Sequence, residues 1–327
     1  MRREASWAAL MLLALGLAKT TAQIVLSEES QATPAPWNFN ADSPYGPSNW
    51  ADNYKACGRR QQSPINFFAD DVEVDPYIDI LRAVNYDLRL RNLKMINSGH
   101  AVQIVLPARL LSGPKLNGGR LPGTYRLTKM KFHWSQSDQA GSEHAIANKT
   151  FPLELQLIHL RGNRSMEQAL RNRDGIAILS VLFTIDDQSP NQDLELITSK
   201  LAKIRYKENW VQINDILPRA LLPRDFSNFF SYKGSLTAPP CSQVVHWSVF
   251  TQPNTISTQQ LNEFRQLFSK SKLDVADPSA DLPTDKVQNN ARPLQKVNGR
   301  KIYLRKELYE PLPLRYGSGV EMRGNLT

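Results

Sequence analysis

Four short stretches of the sequence decide its fold and most of its chemistry. They read Lys-Phe-His-Trp at 131–134, Gly-Ser-Glu-His at 141–144, Glu-Leu-Gln-Leu-Ile-His at 154–159 and Gly-Ser-Leu-Thr-Ala-Pro-Pro at 234–240. Side chains i and i+2 of a strand point the same way, so each of two pairs shares a face: Lys131 with His133, and Glu154 with Gln156. The spacing therefore predicts ionisable and amide side chains gathered on strand faces, where a site could form.

Alternation of apolar and polar residues predicts strands over much of the chain, as at Tyr86–Leu90, His100–Leu106 and Val244–Phe250. The segment Ile176–Phe183 is almost wholly apolar, which is typical of a central strand buried on both faces. Helical patterns are few and cover Asp193–Lys203 and Thr258–Phe268, where Ser257 or Thr258 could cap the second helix. We predict a mostly β (α+β) fold in a single domain with short peripheral helices.

The two ends of the chain differ from its body. Residues 1–22 are typical of a secretory signal peptide, with Arg2 and Arg3 before the apolar run Trp7–Leu17 and small residues after it. A membrane anchor is the alternative, but that run is shorter than a bilayer span, and we predict no membrane span. Residues 23–36 form an N-terminal arm and residues 305–327 a polar, basic C-terminal tail. The localisation that follows is secreted and extracellular.

Charge and cysteine content fit that compartment. The chain has 327 residues with 40 basic and 31 acidic side chains, for a formal net charge of +9. A dispersed basic surface favours either plain solubility or an acidic glycan partner, and nucleic acid is not expected outside the cell. Cys57 and Cys241 would form one disulfide in a secreted chain, with two buried free thiols as the alternative. Glycosylation sequons begin at Asn148, Asn163 and Asn325.

A series of motifs resembles, in the same order, those of the α-class carbonic anhydrase family. Besides the stretches quoted above, the resemblance rests on the segments Cys57–Asn66, Asn97–His100, Asn290–Gln295 and Asn298–Arg300. It covers residues 37–304 and implies a large, mainly antiparallel twisted central sheet with the site in a cone on one face. Secreted members carry a disulfide at the positions of Cys57 and Cys241, which favours that pairing here.

The resemblance also implies a role for each residue of the site. The family's three zinc histidines fall on Lys131, His133 and Gln156, so only one of them is still a histidine. By the same resemblance, His100 is at the position of the proton shuttle, and Glu143 and Thr237 are at those that orient the zinc hydroxide. Glu154 is at the position of the carboxylate behind the third ligand. The expected pocket wall is formed by Leu236, Ala238 and Trp247. Phe39 replaces a tyrosine of the solvent network, and Ala238 replaces a polar residue. His144, His159 and His246 are interpreted as structural.

These replacements argue against the family's usual chemistry. A protonated lysine repels a dication, and an amide oxygen is a poor zinc ligand beside imidazole. Losing two ligands would weaken zinc binding by roughly 10⁴-fold or more. We therefore expect no cofactor and no hydroxide at neutral pH. We also expect the Lys131 ammonium to lie near the former metal position, where it would offset the charge of Glu143 or Glu154.

The leading hypothesis is a secreted carbonic-anhydrase-related pseudoenzyme that serves as an extracellular binding module for an unidentified protein or acidic glycan. One alternative is a weak or unusual carbonic anhydrase whose metal site is rebuilt around His133. Another is a structural matrix or storage protein that uses the fold only as a stable body.

Overall fold

The computed structural model describes residues 35–108, 110, 112–275 and 285–306. The expected signal peptide at 1–22, nearly all of the arm at 23–36, the sequon at Asn325 and most of the tail at 305–327 lie outside the described residues. From Trp37 onward the described residues belong to one compact unit. No helix among them is long and apolar enough to cross a membrane.

The described chain is rich in β-structure. Its strands are β1 Asn66–Phe67, β2 Val72–Val74, β3 Leu81–Val84, β4 Leu93–Asn97, β5 Val102–Val105, β6 Lys115–Gly118, β7 Tyr125–Trp134, β8 Ala145–Ile146, β9 Leu153–Arg161, β10 Ile176–Ile185, β11 Trp210–Ile213, β12 Phe229–Gly234, β13 Val245–Phe250, β14 Asn254–Ile256 and β15 Ile302–Arg305.

Most of these strands join one large sheet. Its main order is β11-β4-β5-β7-β9-β10-β13-β12-β15-β2, with β14 beside β10 and the β3–β6 hairpin beside β7. Most neighbours are antiparallel, whereas β10 runs parallel to β13 and β14, and β15 runs parallel to β2. The prediction of a mostly β domain with a large, mainly antiparallel sheet is confirmed, and the parallel pairs make the sheet mixed.

The α-helices are short: α1 Trp50–Asn53, α2 Met166–Leu170, α3 Gln192–Thr198 and α4 Thr258–Arg265. Single turns of 3-10 helix cover Pro47–Asn49, Lys55–Gly58, Ala69–Asp71, Leu201–Ile204 and Pro218–Leu221. The helix expected to reach Lys203 ends at Thr198 and continues only as the turn at Leu201–Ile204. Ser257 caps α4, because its hydroxyl accepts from the backbone N–H of Gln260.

Strand β10 forms the centre of the fold, as its apolar sequence predicts. Every residue from Ile176 to Phe183 is buried. Alternate side chains enter two core clusters on opposite faces of the sheet: Ala177, Leu179 and Val181 enter one, and Ile176, Ile178 and Leu182 enter the other. The polar exception is Ser180, whose hydroxyl donates to a Glu154 carboxylate oxygen at 2.8 Å. Burial on both faces thus explains a strand without a polar side.

The register between β7 and β9 positions the site. Lys131 lies opposite Gln156, and His133 lies opposite Glu154. A β-bulge between Leu127 and Lys129 shifts the register at the start of this region. Beyond the bulge the alternation is unbroken, so Lys129, Lys131 and His133 occupy one face of β7.

The disulfide between Cys57 and Cys241 is present and spans 184 residues of sequence. Both cysteines are buried beside Trp50, and Trp37, Phe39 and Tyr54 pack against this small cluster. Cys57 lies in the 3-10 turn at Lys55–Gly58, and Cys241 lies in the loop between β12 and β13. The disulfide therefore fixes the segment before β1 to the loop that carries Leu236, Thr237 and Ala238.

Candidate functional site

A cavity of about 200 Å³ opens where β7, β9 and β10 meet the loop after β12. Its polar lining comes from Ser98, His100, Gln103, Lys129, Lys131, Gln156 and Thr237, and its less polar lining from Trp37, Ile158, Met166, Ile178, Leu236, Ala238 and Pro239. Lys131 and Gln156 thus reach a common cavity, as the register of β7 and β9 requires. His133 lies behind them and is fully buried.

His133 is held in one orientation by the backbone. Its Nδ1 donates to the Asn290 carbonyl at 2.7 Å, because a carbonyl can only accept. Burial, together with the charge of Lys131, lowers the pKa of His133, and nearby Glu143 only partly opposes that shift. In the neutral ring the Nε2 lone pair therefore faces Glu143 Oε2 at 3.3 Å, and this buried nitrogen has no hydrogen-bond partner among the described residues.

Gln156 connects two buried carboxylates. Its side-chain amide donates to Glu143 Oε2 at 2.7 Å and to Glu154 Oε1 at 3.1 Å. The backbone N–H of Arg292 donates to the other oxygen of Glu143 at 3.0 Å. An unpaired buried carboxylate is costly, so the amide at this position stabilises both acids without a metal ion.

Glu154 is the most fully hydrogen-bonded acid of the site. It accepts from the ring Nδ1 of His144 at 2.9 Å, from Ser180, and from the backbone N–H groups of Glu143 and His144. Burial alone would raise the pKa of Glu154. The charge of His144 and these hydrogen bonds outweigh burial and lower that pKa to about 2. Glu154 is therefore an ionised structural acid at neutral pH.

Lys131 lines the cavity, and the expected offset of charge with Glu143 and Glu154 acts at a distance rather than through an ion pair. Neither Glu143 nor Glu154 forms a salt bridge with it in the described part of the chain, although both acids raise its pKa. Burial has the larger, opposite effect and lowers the pKa of Lys131. Its ammonium lies 5.8 Å from the ring centre of Phe39. The two acids also share hydrogen bonds from Gln156.

His100 lies at one side of the cavity with its ring stacked on Trp37. The ring centres are 3.9 Å apart and the planes differ by 13°. Burial lowers the pKa of His100 to about 4, and the charges of Lys131 and Lys207 contribute to the shift. A proton shuttle works best with a pKa near the operating pH, and this ring is held neutral there.

The remaining expected site residues separate into two groups. Leu236, Thr237 and Ala238 line the cavity. Trp247 does not, because its indole is fully buried in the core, donates to the Ser235 carbonyl at 3.0 Å and packs against His144. Thr237 and Glu143 share no hydrogen bond among the described residues, since the oxygens of Glu143 accept from Arg292 and Gln156 instead.

The other histidines make structural contacts. His144 bridges Glu154 and the Tyr232 hydroxyl, which lies 2.7 Å from its Nε2. His159 contacts the Tyr86 hydroxyl and the Ala177 carbonyl, and burial lowers its pKa to about 4. His246 contacts Asp174 at 2.8 Å, away from the cavity.

The sequence matches a family model, that of the eukaryotic-type carbonic anhydrase, over residues 45–306. The chain belongs to the eukaryotic-type carbonic anhydrase family. It is 32% identical to carbonic anhydrase 7 of Mus musculus over 268 residues, which covers 81% of this chain and 96% of the relative. It is 31% identical to putative carbonic anhydrase 5 of Caenorhabditis elegans over 278 residues, covering 82% of this chain and 81% of that protein. Against carbonic anhydrase 12 of Homo sapiens it is 30% identical over 287 residues, covering 86% of this chain and 77% of the relative.

Carbonic anhydrases of this family normally use zinc, but the donor set here does not fit that ion. Of the three positions expected to hold zinc, only His133 carries an imidazole, and its Nε2 has no hydrogen-bond partner among the described residues. At the other two positions stand an ammonium, which has no lone pair, and an amide whose NH₂ group is committed to two carboxylates. No group of three or more His, Cys, Asp or Glu side chains in the described ranges could hold a metal ion.

Sequence patterns alone did not assign two residues of the site. Lys129 lines the cavity because it lies two residues before Lys131 on the same strand face, a signal that the alternation contained. Arg292 is buried, donates to the Gln62 side chain at 2.8 Å and supplies a backbone N–H to Glu143. Its contacts join segments more than 200 residues apart, for which the sequence offers no local signal.

We expect the ionisation of Glu154 to make the free energy of unfolding depend on pH in the acid range. Its folded-state pKa of about 2 lies below the ordinary value of 4.5, so it stabilises the fold above about pH 4.5, and this contribution is lost as pH falls toward 2. Urea unfolding of wild type and E154Q at about pH 6 and about pH 3 measures the effect. The free energy of unfolding should fall less with acidification in E154Q than in wild type. An equal fall in both proteins would contradict this assignment.

We also expect the imidazole of His100 to titrate far below the ordinary histidine range, with a pKa of about 4. Proton NMR of the ring measures this directly. K131M should raise the pKa of His100, because a contributing positive charge is removed while the ring stays buried. K272M, which removes an exposed lysine, is the control and should leave that pKa unchanged. A wild-type value near 6.5 would show that His100 is not held in this environment.

Proposed function

We propose that this member of the carbonic anhydrase family is a catalytically inactive, secreted protein that acts as an extracellular binding module. The observation that carries the proposal is the Gln156 amide, which donates to both Glu143 and Glu154 where the third zinc ligand would stand. The site is hydrogen-bonded to itself, and a metal ion would have to break those bonds.

The surroundings support the loss of hydration chemistry. Zinc catalysis needs three protein ligands and an open position for water. Only His133 supplies an imidazole nitrogen here, and the half-buried Lys131 shares its strand face. Glu143 and Thr237, which would orient a zinc hydroxide, are not hydrogen-bonded to one another in the described structure. His100 is stacked on Trp37 and neutral at physiological pH. Each step of the family's reaction thus lacks a group it needs.

The extracellular role rests on other features. A disulfide closes between Cys57 and Cys241, and such bonds persist mainly in oxidising compartments. The sequence pattern of residues 1–22 favours export, and Asn148 and Asn163 are both exposed. Without hydration chemistry, the stable β-rich body and the cavity remain as recognition surfaces. The partner would be an extracellular protein or an acidic ligand suited to a chain of net charge +9.

Restoring the lost ligands tests the inactive state. Wild type should not hydrate carbon dioxide above the uncatalysed rate in stopped flow, even with excess zinc. K131H/Q156H should bind zinc roughly 10⁴-fold more tightly than wild type, because two imidazoles replace an ammonium and an amide. The single variants K131H and Q156H are matched controls and should bind with intermediate affinity. H133A in the double-variant background should remove the gain.

The alternative of a rebuilt metal site has one observation in its favour, the unpartnered Nε2 of His133 near Glu143. It predicts zinc-dependent hydration by wild type and loss of that activity in H133A. Measurable turnover that depends on His133 would therefore overturn the proposal of an inactive protein.

Glycosylation tests the secretory route. We expect the protein to appear in the medium of cultured animal cells with an N-linked glycan on Asn163, which is exposed in the turn after β9. Enzymatic removal of N-glycans should lower its mass, and N163Q should lose that part of the shift. N172Q, a nearby exposed asparagine outside any sequon, is the control. Retention of unglycosylated protein inside the cells would contradict the extracellular assignment.

A further inference from the structure

Two lysines share the cavity at the former metal site. Lys129 and Lys131 both line it and are both half-buried. They lie two residues apart on the same face of β7, which brings their Cα atoms to roughly 7 Å of each other. Two like charges therefore point into a space of about 200 Å³.

No side chain of the described structure forms an ion pair with either lysine. Neither ammonium forms a hydrogen bond or an ion pair with the residues described. The nearest acids, Glu143 and Glu154, accept hydrogen bonds from Gln156, Arg292, His144 and Ser180 instead. Glu143 and Glu154 favour the charged form of Lys131 from a distance, whereas the charge of Lys129 opposes it. An anion placed between the two ammonium groups would reduce their mutual repulsion.

Part of the cavity wall is apolar. Ile158, Ile178, Leu236 and Met166 line it, so a ligand with only polar groups would leave these side chains without a partner. Ligand pockets combine a mostly apolar lining with a few placed polar groups, and drug-sized molecules need about 300–1,000 Å³. A cavity of about 200 Å³ suits something smaller.

We propose that this cavity binds a small organic carboxylate, whose charged group lies between the ammonium groups of Lys129 and Lys131 and whose apolar body packs against Ile158, Ile178 and Leu236. This inference rests on the proposed binding role and names the ligand class for the same site. An acidic sugar fits less well, because its hydroxyl groups would face the apolar wall. In this proposal the two lysines bind an anionic ligand at the position where the family binds zinc.

Benzoate is a suitable probe, since it joins one carboxylate to one apolar ring. Isothermal titration calorimetry of wild type dialysed against a chelator should show a single saturable site. K129M and K131M should each weaken benzoate binding about tenfold or more, because each removes one charged hydrogen-bond donor. K129M/K131M should abolish binding. K272M removes the same charge from the exposed surface and should bind benzoate like wild type.

Two further ligands test whether binding depends on the charge of the ligand or on its shape, and whether a sugar acid binds instead. Benzamide has nearly the shape of benzoate without its charge and should bind at least about tenfold more weakly. Glucuronate keeps the carboxylate on a polar ring and should also bind more weakly than benzoate. Equal benzoate affinity in K129M, K131M and wild type would overturn the proposal. So would benzamide binding as tight as benzoate, and tighter binding of glucuronate would replace the small-molecule ligand by an acidic glycan.

A second measurement covers the case of variants that do not fold. Amine-specific labelling of wild type, read by mass spectrometry, should show that benzoate protects Lys129 and Lys131 while Lys272 reacts at the same rate. Equal labelling of the cavity lysines with and without benzoate would overturn the proposal. The test is independent of the inactive state: lysine-dependent benzoate binding in a protein that hydrates carbon dioxide with zinc would sink the proposed function and leave this inference standing.

Discussion

Two carboxylates buried side by side set the main constraint on this site. Glu143 and Glu154 lie where β9 meets the preceding loop, and neither is exposed to water. Buried acids must be hydrogen-bonded or neutralised. Here Gln156 donates a hydrogen bond to each acid. Arg292 also donates to Glu143, and His144 and Ser180 donate to Glu154. Hydrogen bonds from one neutral amide thus connect acids that, in a zinc-binding relative, would adjoin a dication.

The hydrogen bonds from Gln156 to the two acids also affect the electrostatics of the cavity. The acids take their hydrogen bonds from Gln156 and its neighbours, so their charges act on Lys131 only from a distance. Its charge joins that of Lys129, and burial works against both. The effect extends to His100, whose pKa falls to about 4 through burial and the charges of Lys131 and Lys207. The residues at the expected zinc positions therefore affect the electrostatics of the whole cavity.

Sequence patterns predicted the parts of the fold that depend on local alternation. The buried strand β10, the shared face of Lys131 and His133, and the capped helix α4 all follow from residue spacing. The resemblance to carbonic anhydrases supplied the sheet and the disulfide. The charge of Lys131 interacts with both acids as expected, but the hydrogen bonds to them come from Gln156, because that choice depends on side-chain geometry. The sequence did not predict the contacts of Arg292 or the burial of Trp247 in the core, because long-range packing decides where both side chains lie.

We propose that the hydrogen-bonded Glu143–Gln156–Glu154 arrangement stands in place of a zinc site. The most direct test is the zinc content of wild-type protein after equilibrium dialysis against micromolar free zinc, measured by elemental mass spectrometry. We expect no zinc above the level of a protein treated with chelator. Stoichiometric zinc that is lost in H133A would contradict it, because His133 would then have gained ligands that this arrangement does not provide.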